Sequence, residues 1–405
     1  MLTPPRSPGK NPRSSIASLE LTQHPSCGAC ISLELSDGGT RLQVPLVWFR
    51  DHCRSPKLYN FANDLHKTNM VNIFDEARIS GRSAVTYDDK QLSIEWEDGI
   101  TSVFLYEELV EMLIKKKQPQ DLHHLWSAST VGTPPTLDKS TFSFSEFVQL
   151  FLKFGFVSVD GIEPTVEATE NFVREVAPIH DTFFGPIWTL TSSGEEKDDY
   201  HAESAYANGD LGPHTDCSFL TQAPGVQVFH CLRPADEGGE TPLVDAFAAA
   251  ERLKDEYPSA FRILSTTLID HQYTVKGEKP LHAWAPARSV IELNDQGGIA
   301  QIRFNPYQRA PLRLSLDGEG GLSSPEDVTA FYEAYQAFCR ICVDPSMTIR
   351  MHLQPGTLIF IDNYRVLHAR AAFSGCRKMC GCYLSRDALM AKARPHVEEE
   401  KKLHI

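Results

Sequence analysis

The stretch "TLIFIDNYRVLHARAAFSGCRKMCGCYLSRD", residues 357–387, reads as three short apolar strands separated by polar turns. A Pro355-Gly356 turn precedes the first strand, and His368 falls near the end of the second. Arg377 leads into the third, nine residues after His368. Similar runs recur upstream: "GVQVFHCL" (225–232), "TPLVDAF" (241–247), "STTLIDHQYTV" (265–275), "SVIELN" (289–294), "IAQIRFN" (299–305) and "TIRMHL" (348–353). Helical patterns are inserted between them: 143–154, 165–179, 246–257 and 324–341. Ser324 is placed to cap the last, and Pro325 stands at its first position. Many short strands with inserted helices predict a mainly β fold with buttressing helices, a barrel or jelly roll.

The N-terminal part has a different texture. "CISLEL", "TRLQVPLVWF", "AVTY", "QLSIEW" and "ITSVFLY" are strand-like, and "YEELVEMLIKKK" closes the unit as a helix with acids early and lysines late. The expected organisation is a disordered or targeting segment over 1–25 and a small β-rich domain over 26–120. A polar, Pro-containing linker over 121–140 and a large domain over 141–405 follow.

Composition bounds the function. The chain has 405 residues, 41% hydrophobic and 23% charged, as in soluble globular proteins. A net charge of −14 argues against nucleic-acid partners and anionic membranes. No apolar run approaches the roughly 18 residues of a membrane span. Ten cysteines without regular disulfide spacing favour a reducing, intracellular compartment. The first 18 residues are basic and Ser-rich, but their prolines oppose an amphipathic targeting helix, so the mitochondrion and the cytoplasm both stay open.

"LGPHTDCSFL", residues 211–220, contains the only His-x-Asp of the chain. In an extended segment residues i and i+2 point the same way, so His214 and Asp216 could face one metal ion. A random chain of this composition holds about one such motif, so alone it carries little. A third ligand from a distant strand would complete a 2-His-1-carboxylate face, the iron(II) oxygenase arrangement, and His368 is the candidate.

"PHTD", "GVQVFHCL", "GGETPLVDAF", "PGTLIFIDNYRVLHAR" and "GCRKMCGCYLSRD", in that order, resemble the iron(II)- and 2-oxoglutarate-dependent dioxygenases of carnitine synthesis, which act on trimethyllysine or γ-butyrobetaine. "VWFRDHCRSPKLYN" and "WEDG" extend the resemblance into the N-terminal domain. The resemblance implies a double-stranded β-helix (jelly-roll) domain, with Fe(2+) held by His214, Asp216 and His368. It implies 2-oxoglutarate bound by Arg377 and Thr241, O2 as co-substrate, and hydroxylation with release of succinate and CO2. Ascorbate is a further cofactor that it admits. It also implies a homodimer.

Both substrates carry a trimethylammonium group, which aromatic faces hold by cation–π attraction. The resemblance places Phe184, Trp188, Tyr206 and Tyr383 in that cage, and Asn305 at another polar contact. Glu203 favours trimethyllysine, because a carboxylate pairs with its α-ammonium and repels a substrate bearing only a carboxylate. γ-Butyrobetaine is the alternative substrate, and a catalytically inactive jelly-roll binding module the alternative class. The structural zinc that the resemblance implies for the N-terminal domain lacks its ligands here: Ser55, Leu58 and Ile100 stand where the relatives' other ligands stand, leaving Cys53 with only Cys27, Cys30 and His52 for another arrangement.

Overall fold

A computed structural model describes residues 16–36, 39–114, 123–192, 208–315 and 322–398. The chain divides into two compact units, Met1–Lys116 and Lys117–Ile405.

The first unit holds two three-stranded antiparallel sheets: Ile16–His24, Gly28–Leu35 and Arg41–Pro45, then Val85–Tyr87, Gln91–Glu95 and Thr101–Leu105. Ile31, Phe49, Leu92, Ile94 and Trp96 are among its core. The Arg50 guanidinium is buried, with Nη2 at 2.6 Å from Asp98 and 3.1 Å from Glu76. The expectation of disorder over 1–25 is corrected for its second half. Ile16–His24 is a strand laddered along Gly28–Leu35, with Leu19 buried between polar neighbours. Alternation with few apolar residues suffices when a partner strand hydrogen-bonds one edge of the backbone and one face is buried. Cys27 and Cys30 lie with sulfurs 3.5 Å apart, and buried Cys53 packs elsewhere, beside the Thr101 carbonyl.

The second unit carries the jelly roll. Its strands are β1 (Thr136–Asp138), β2 (Phe156–Asp160), β3 (Trp188–Ser192), β4 (Leu211–His214) and β5 (Val226–Arg233). They continue with β6 (Thr241–Asp245), β7 (Thr348–Met351), β8 (Leu358–Asp362), β9 (Val366–Arg370) and β10 (Arg377–Leu384). A six-stranded sheet runs β3-β10-β5-β8-β2-β1, and a four-stranded sheet runs β4-β9-β6-β7. β6, β8 and β9 are buried along their whole length, because each is flanked by strands and covered on its faces.

Helices seal the outer faces. Phe144–Phe154 is capped by the Ser143 hydroxyl and ends at Gly155 (φ 76°), where a side chain would meet Val366. It packs with Val166–Val176 on the larger sheet through Phe147, Phe151, Phe172 and Phe360. Ala246–Glu256, Pro258–Thr266 and Pro325–Val343 cover the smaller sheet, the last with a Ser324–Asp327 capping box.

The described part of the expected 121–140 linker is integrated into this unit. Trp126 is buried, its backbone N–H donating to Asp245 and its indole to the Phe154 carbonyl, and β1 extends the larger sheet in parallel with β2. Asp245 also caps Ala246–Glu256 and forms a fully buried ion pair with Arg365 at 2.7 Å. Arg365 spends its remaining donors on the carbonyls of His124, Leu152 and Lys153, so the pair is satisfied rather than merely enclosed.

Candidate active site

Two strands of the smaller sheet bring the imidazoles together. His214 ends β4 directly opposite His368 on β9, and the ring centroids are 4.4 Å apart. Asp216 is not on the strand: it lies in the turn that follows, with Cys217 in the left-handed region at φ 55°. The expected strand alternation is therefore corrected, since a turn carries the carboxylate to the imidazoles. Nε2 of His214 is 3.4 Å, and Nε2 of His368 3.6 Å, from Asp216 Oδ1. Among the described residues this is the one group of three or more His, Cys, Asp or Glu side chains placed to hold a metal ion.

The donor set fits a divalent first-row metal. Nδ1 of His214 is 2.8 Å from the Gly212 carbonyl, an acceptor, so the hydrogen sits there and Nε2 presents its lone pair. Burial, reinforced by His214, pushes the His368 imidazole down to about 3, against the pull of Asp216, so it is neutral at pH 7. Among the described residues Nδ1 of His368 meets no acceptor, and the ring stands edge-on to Phe229 at 5.1 Å. Burial disfavours the charged Asp216 carboxylate, but His368, His214 and the Tyr383 hydroxyl outweigh it and hold the group at about 2. Burial, then Asp216, pushes the Tyr383 hydroxyl well above its ordinary value, so it donates to Asp216 Oδ2 at 3.0 Å.

These three ligands open on a cavity of about 180 Å³ that Phe184, Trp188, Thr241, Arg377 and Tyr383 also line. Trp188 pairs with Gly381 across β3 and β10, where any side chain would strike the indole and the Val228 carbonyl. The glycine lets the indole lie across the strand, 6.3 Å from the Tyr383 ring and edge-on to Phe229 at 5.6 Å. Arg377, at the start of β10, has no hydrogen-bond acceptor or ion-pair partner among the described residues. It lies 5.5 Å from the Phe373 ring. Burial lowers its pKa, yet a guanidinium stays protonated at neutral pH, so the cavity has a free cation suited to a carboxylate.

Asn305 is not brought into the cavity. Its Nδ2 donates to the Thr215 carbonyl at 3.1 Å and to Gln308 at 2.9 Å, and its Oδ1 accepts from the Tyr307 N–H. The residue is buried, and its amide braces the His-x-Asp segment through the Thr215 carbonyl. Glu203 and Tyr206 lie outside the described residues.

Other residues line the same cavity, among them Tyr273, Gln308 and Arg370, and sequence reasoning gave the first two no role. Tyr273 comes from the hairpin Ile269–Val275/Leu281–Arg288, stacks on Phe219 at 4.9 Å and stands edge-on to Phe184 at 5.7 Å. Arg370 donates through Nε and Nη2 to the Gly209 carbonyl, and burial followed by Arg377 lowers its pKa to about 10. The hairpin's aromatic was the one available signal, but its run reads simply as a strand.

The sequence profile of the taurine catabolism dioxygenase TauD, TfdA family matches residues 119–383. Trimethyllysine dioxygenase, mitochondrial, of Gallus gallus is 33% identical over 378 residues, covering 89% of this chain and 85% of the relative. The Homo sapiens protein of that name is 31% identical over 374 residues, with coverages of 89% and 84%. Gamma-butyrobetaine dioxygenase of Pongo abelii is 27% identical over 390 residues, with coverages of 89% and 95%.

Proposed function

The chain belongs to the taurine catabolism dioxygenase TauD, TfdA family, and we propose that it hydroxylates N6,N6,N6-trimethyllysine to 3-hydroxy-trimethyllysine, the first step of carnitine synthesis. The chemistry is that of an iron(II)- and 2-oxoglutarate-dependent dioxygenase, for which His214, Asp216 and His368 hold the metal. When bound, iron with 2-oxoglutarate and O2 supplies an oxidant strong enough for an unactivated C–H bond, releasing succinate and CO2.

The protein's own part is placement. Arg377 receives the far carboxylate of 2-oxoglutarate, beside the Thr241 hydroxyl, and fixes its distance from the metal. Phe184, Trp188 and Tyr383 offer π-faces to a trimethylammonium group, with Tyr273 closing the wall beside Phe184. Tyr206 joins that cage in the proposal. A Glu203 carboxylate paired with the α-ammonium would select trimethyllysine over γ-butyrobetaine, and Glu203→Asn is expected to narrow the preference. An unchanged preference in that variant would remove Glu203 from the account. An inactive binding module does not fit, because the metal face and a free guanidinium share one cavity.

The observation that carries the substrate reading is this aromatic wall beside the metal ligands, together with the trimethyllysine dioxygenase relatives. Calorimetry under argon tests the cation, using protein loaded with Mn(2+) and 2-oxoglutarate. Trimethyllysine should bind about 2- to 30-fold more tightly than its uncharged analogue, in which carbon replaces the quaternary nitrogen. Equal affinities would contradict the cage.

A homodimer is part of the proposal and predicts twice the chain mass in light scattering; a monomer mass would refute it. Among the described residues no helix is long and apolar enough to cross a membrane. The vertebrate relatives' names place those proteins in mitochondria, and we extend that compartment to this chain, with the cytoplasm as the outcome of fractionation that would contradict it.

A further inference from the structure

We propose that Asn363 is a positioning residue for the metal site, clamping the Asp216 peptide from both sides and so fixing where its carboxylate stands. The Asp216 N–H donates to Asn363 Oδ1 at 2.8 Å, and Asn363 Nδ2 donates back to the Asp216 carbonyl at 3.0 Å. The second Nδ2 hydrogen reaches the Pro224 carbonyl at 2.9 Å, and the Asn363 backbone N–H reaches the Gly225 carbonyl at 3.0 Å. The residue is buried, and its carboxamide is fully committed.

Asp216 needs such a device. A ligand on a strand is held by the ladder, but Asp216 stands in a turn whose next residue, Cys217, has φ 55°. A non-glycine residue in that region is strained and persists only where its surroundings over-determine it. Asn363 is suited to do so because it directly follows β8 and lies five residues before His368. One short segment therefore carries the third ligand and grips the second. Asn305 does the equivalent one residue earlier, donating to the Thr215 carbonyl. Two asparagines from separate segments thus hold the Thr215–Asp216 peptide, and Asn363 the Asp216 carbonyl as well.

The inference rests on the metal reading, so its test measures metal binding rather than turnover. The full chain, freed of metal by chelation, is titrated with Co(2+) under argon, reading the visible ligand-field band. Wild type is compared with Asn363→Ala and Asn363→Asp, and metal-free melting curves identify the folded fraction. Asn363→Ala is expected to bind Co(2+) about 10- to 100-fold more weakly, with an altered band, as loss of an outer-shell partner predicts. Asn363→Asp keeps the acceptor for the Asp216 N–H but sets an oxygen against two carbonyls, so its loss is smaller yet measurable. Should Asn363→Ala fail to fold, Asn363→Asp carries the test alone. A folded variant with wild-type affinity and band overturns the clamp and leaves the metal site standing. Wild-type chain that binds no Co(2+) overturns the metal reading, and the clamp with it.

Discussion

The Tyr383 hydroxyl donates to Asp216 Oδ2 at 3.0 Å, while its ring forms part of the cavity wall beside Trp188. One side chain therefore serves the metal ligand through its oxygen and the proposed substrate cation through its face. The two duties separate by mutation. Tyr383→Phe keeps the π-face and removes the hydrogen bond, so metal affinity should fall about tenfold while trimethyllysine affinity in the metal-loaded protein changes little. Tyr383→Leu should lose both. Metal titration and calorimetry check this; equal losses of substrate affinity in the two variants would contradict the division.

Among the described residues the Arg377 guanidinium meets no acceptor, whereas Arg370 already serves the Gly209 carbonyl. Arg377→Met should raise the KM for 2-oxoglutarate roughly 10- to 100-fold, the range for loss of charge-assisted hydrogen bonds. The KM for trimethyllysine should move far less. A larger effect from Arg370→Met, measured by succinate release, would transfer the role to Arg370.

Gly381→Ala should destabilise the protein by about 1–3 kcal/mol, because the added methyl meets the Val228 carbonyl and the Trp188 indole. It should also disturb the cage, since the indole must move off the strand. A lower denaturation midpoint with a red-shifted tryptophan emission is the expected outcome. A wild-type midpoint would show that the β3–β10 contact is looser than it stands in the structure.

Besides His368, three histidines set an acid limit: buried His230 and His271 and half-buried His123. Burial pushes His123, His230 and His271 down to about 4, with Arg365 reinforcing it at His123 and Arg303 and Arg309 at His271. In the unfolded chain each binds its proton near 6.5. Between those values the unfolded state holds more protons, so stability falls as pH drops from about 6.5 to about 4. Asp216 and Asp344, held at about 2, add losses only below the ordinary carboxylate range, near 3.8. Urea midpoints of metal-free protein at pH 7.5, 5.5 and 4.5 should decline in that order, and less steeply in His271→Gln. A flat profile would contradict the burial argument.

The metal ligands were legible because their motifs recur in a fixed order and because His368 falls on a strand apolar enough to be internal. The strand reading of β5, β6, β8, β9 and β10 follows from the same runs. What lay hidden depends on partners, near or distant in sequence, that only the fold brings together. Ile16–His24 is sparse in apolar residues and is defined by its ladder to Gly28–Leu35. Trp126 sits in a polar stretch yet is bound to Asp245 and Phe154. Asn305 stands in a matching motif, but its amide is consumed by Thr215 and Gln308. Asn363 and Tyr273 look like ordinary turn and strand residues until Asp216 and Phe184 are folded against them.

The most direct test of the central claim is a turnover assay on iron-loaded protein given O2 and 2-oxoglutarate, divided between trimethyllysine and γ-butyrobetaine. The account predicts succinate formation coupled one-to-one to a +16 mass shift of trimethyllysine, and little or no shift of γ-butyrobetaine. Hydroxylation of γ-butyrobetaine alone, or succinate released with neither substrate hydroxylated, would contradict it.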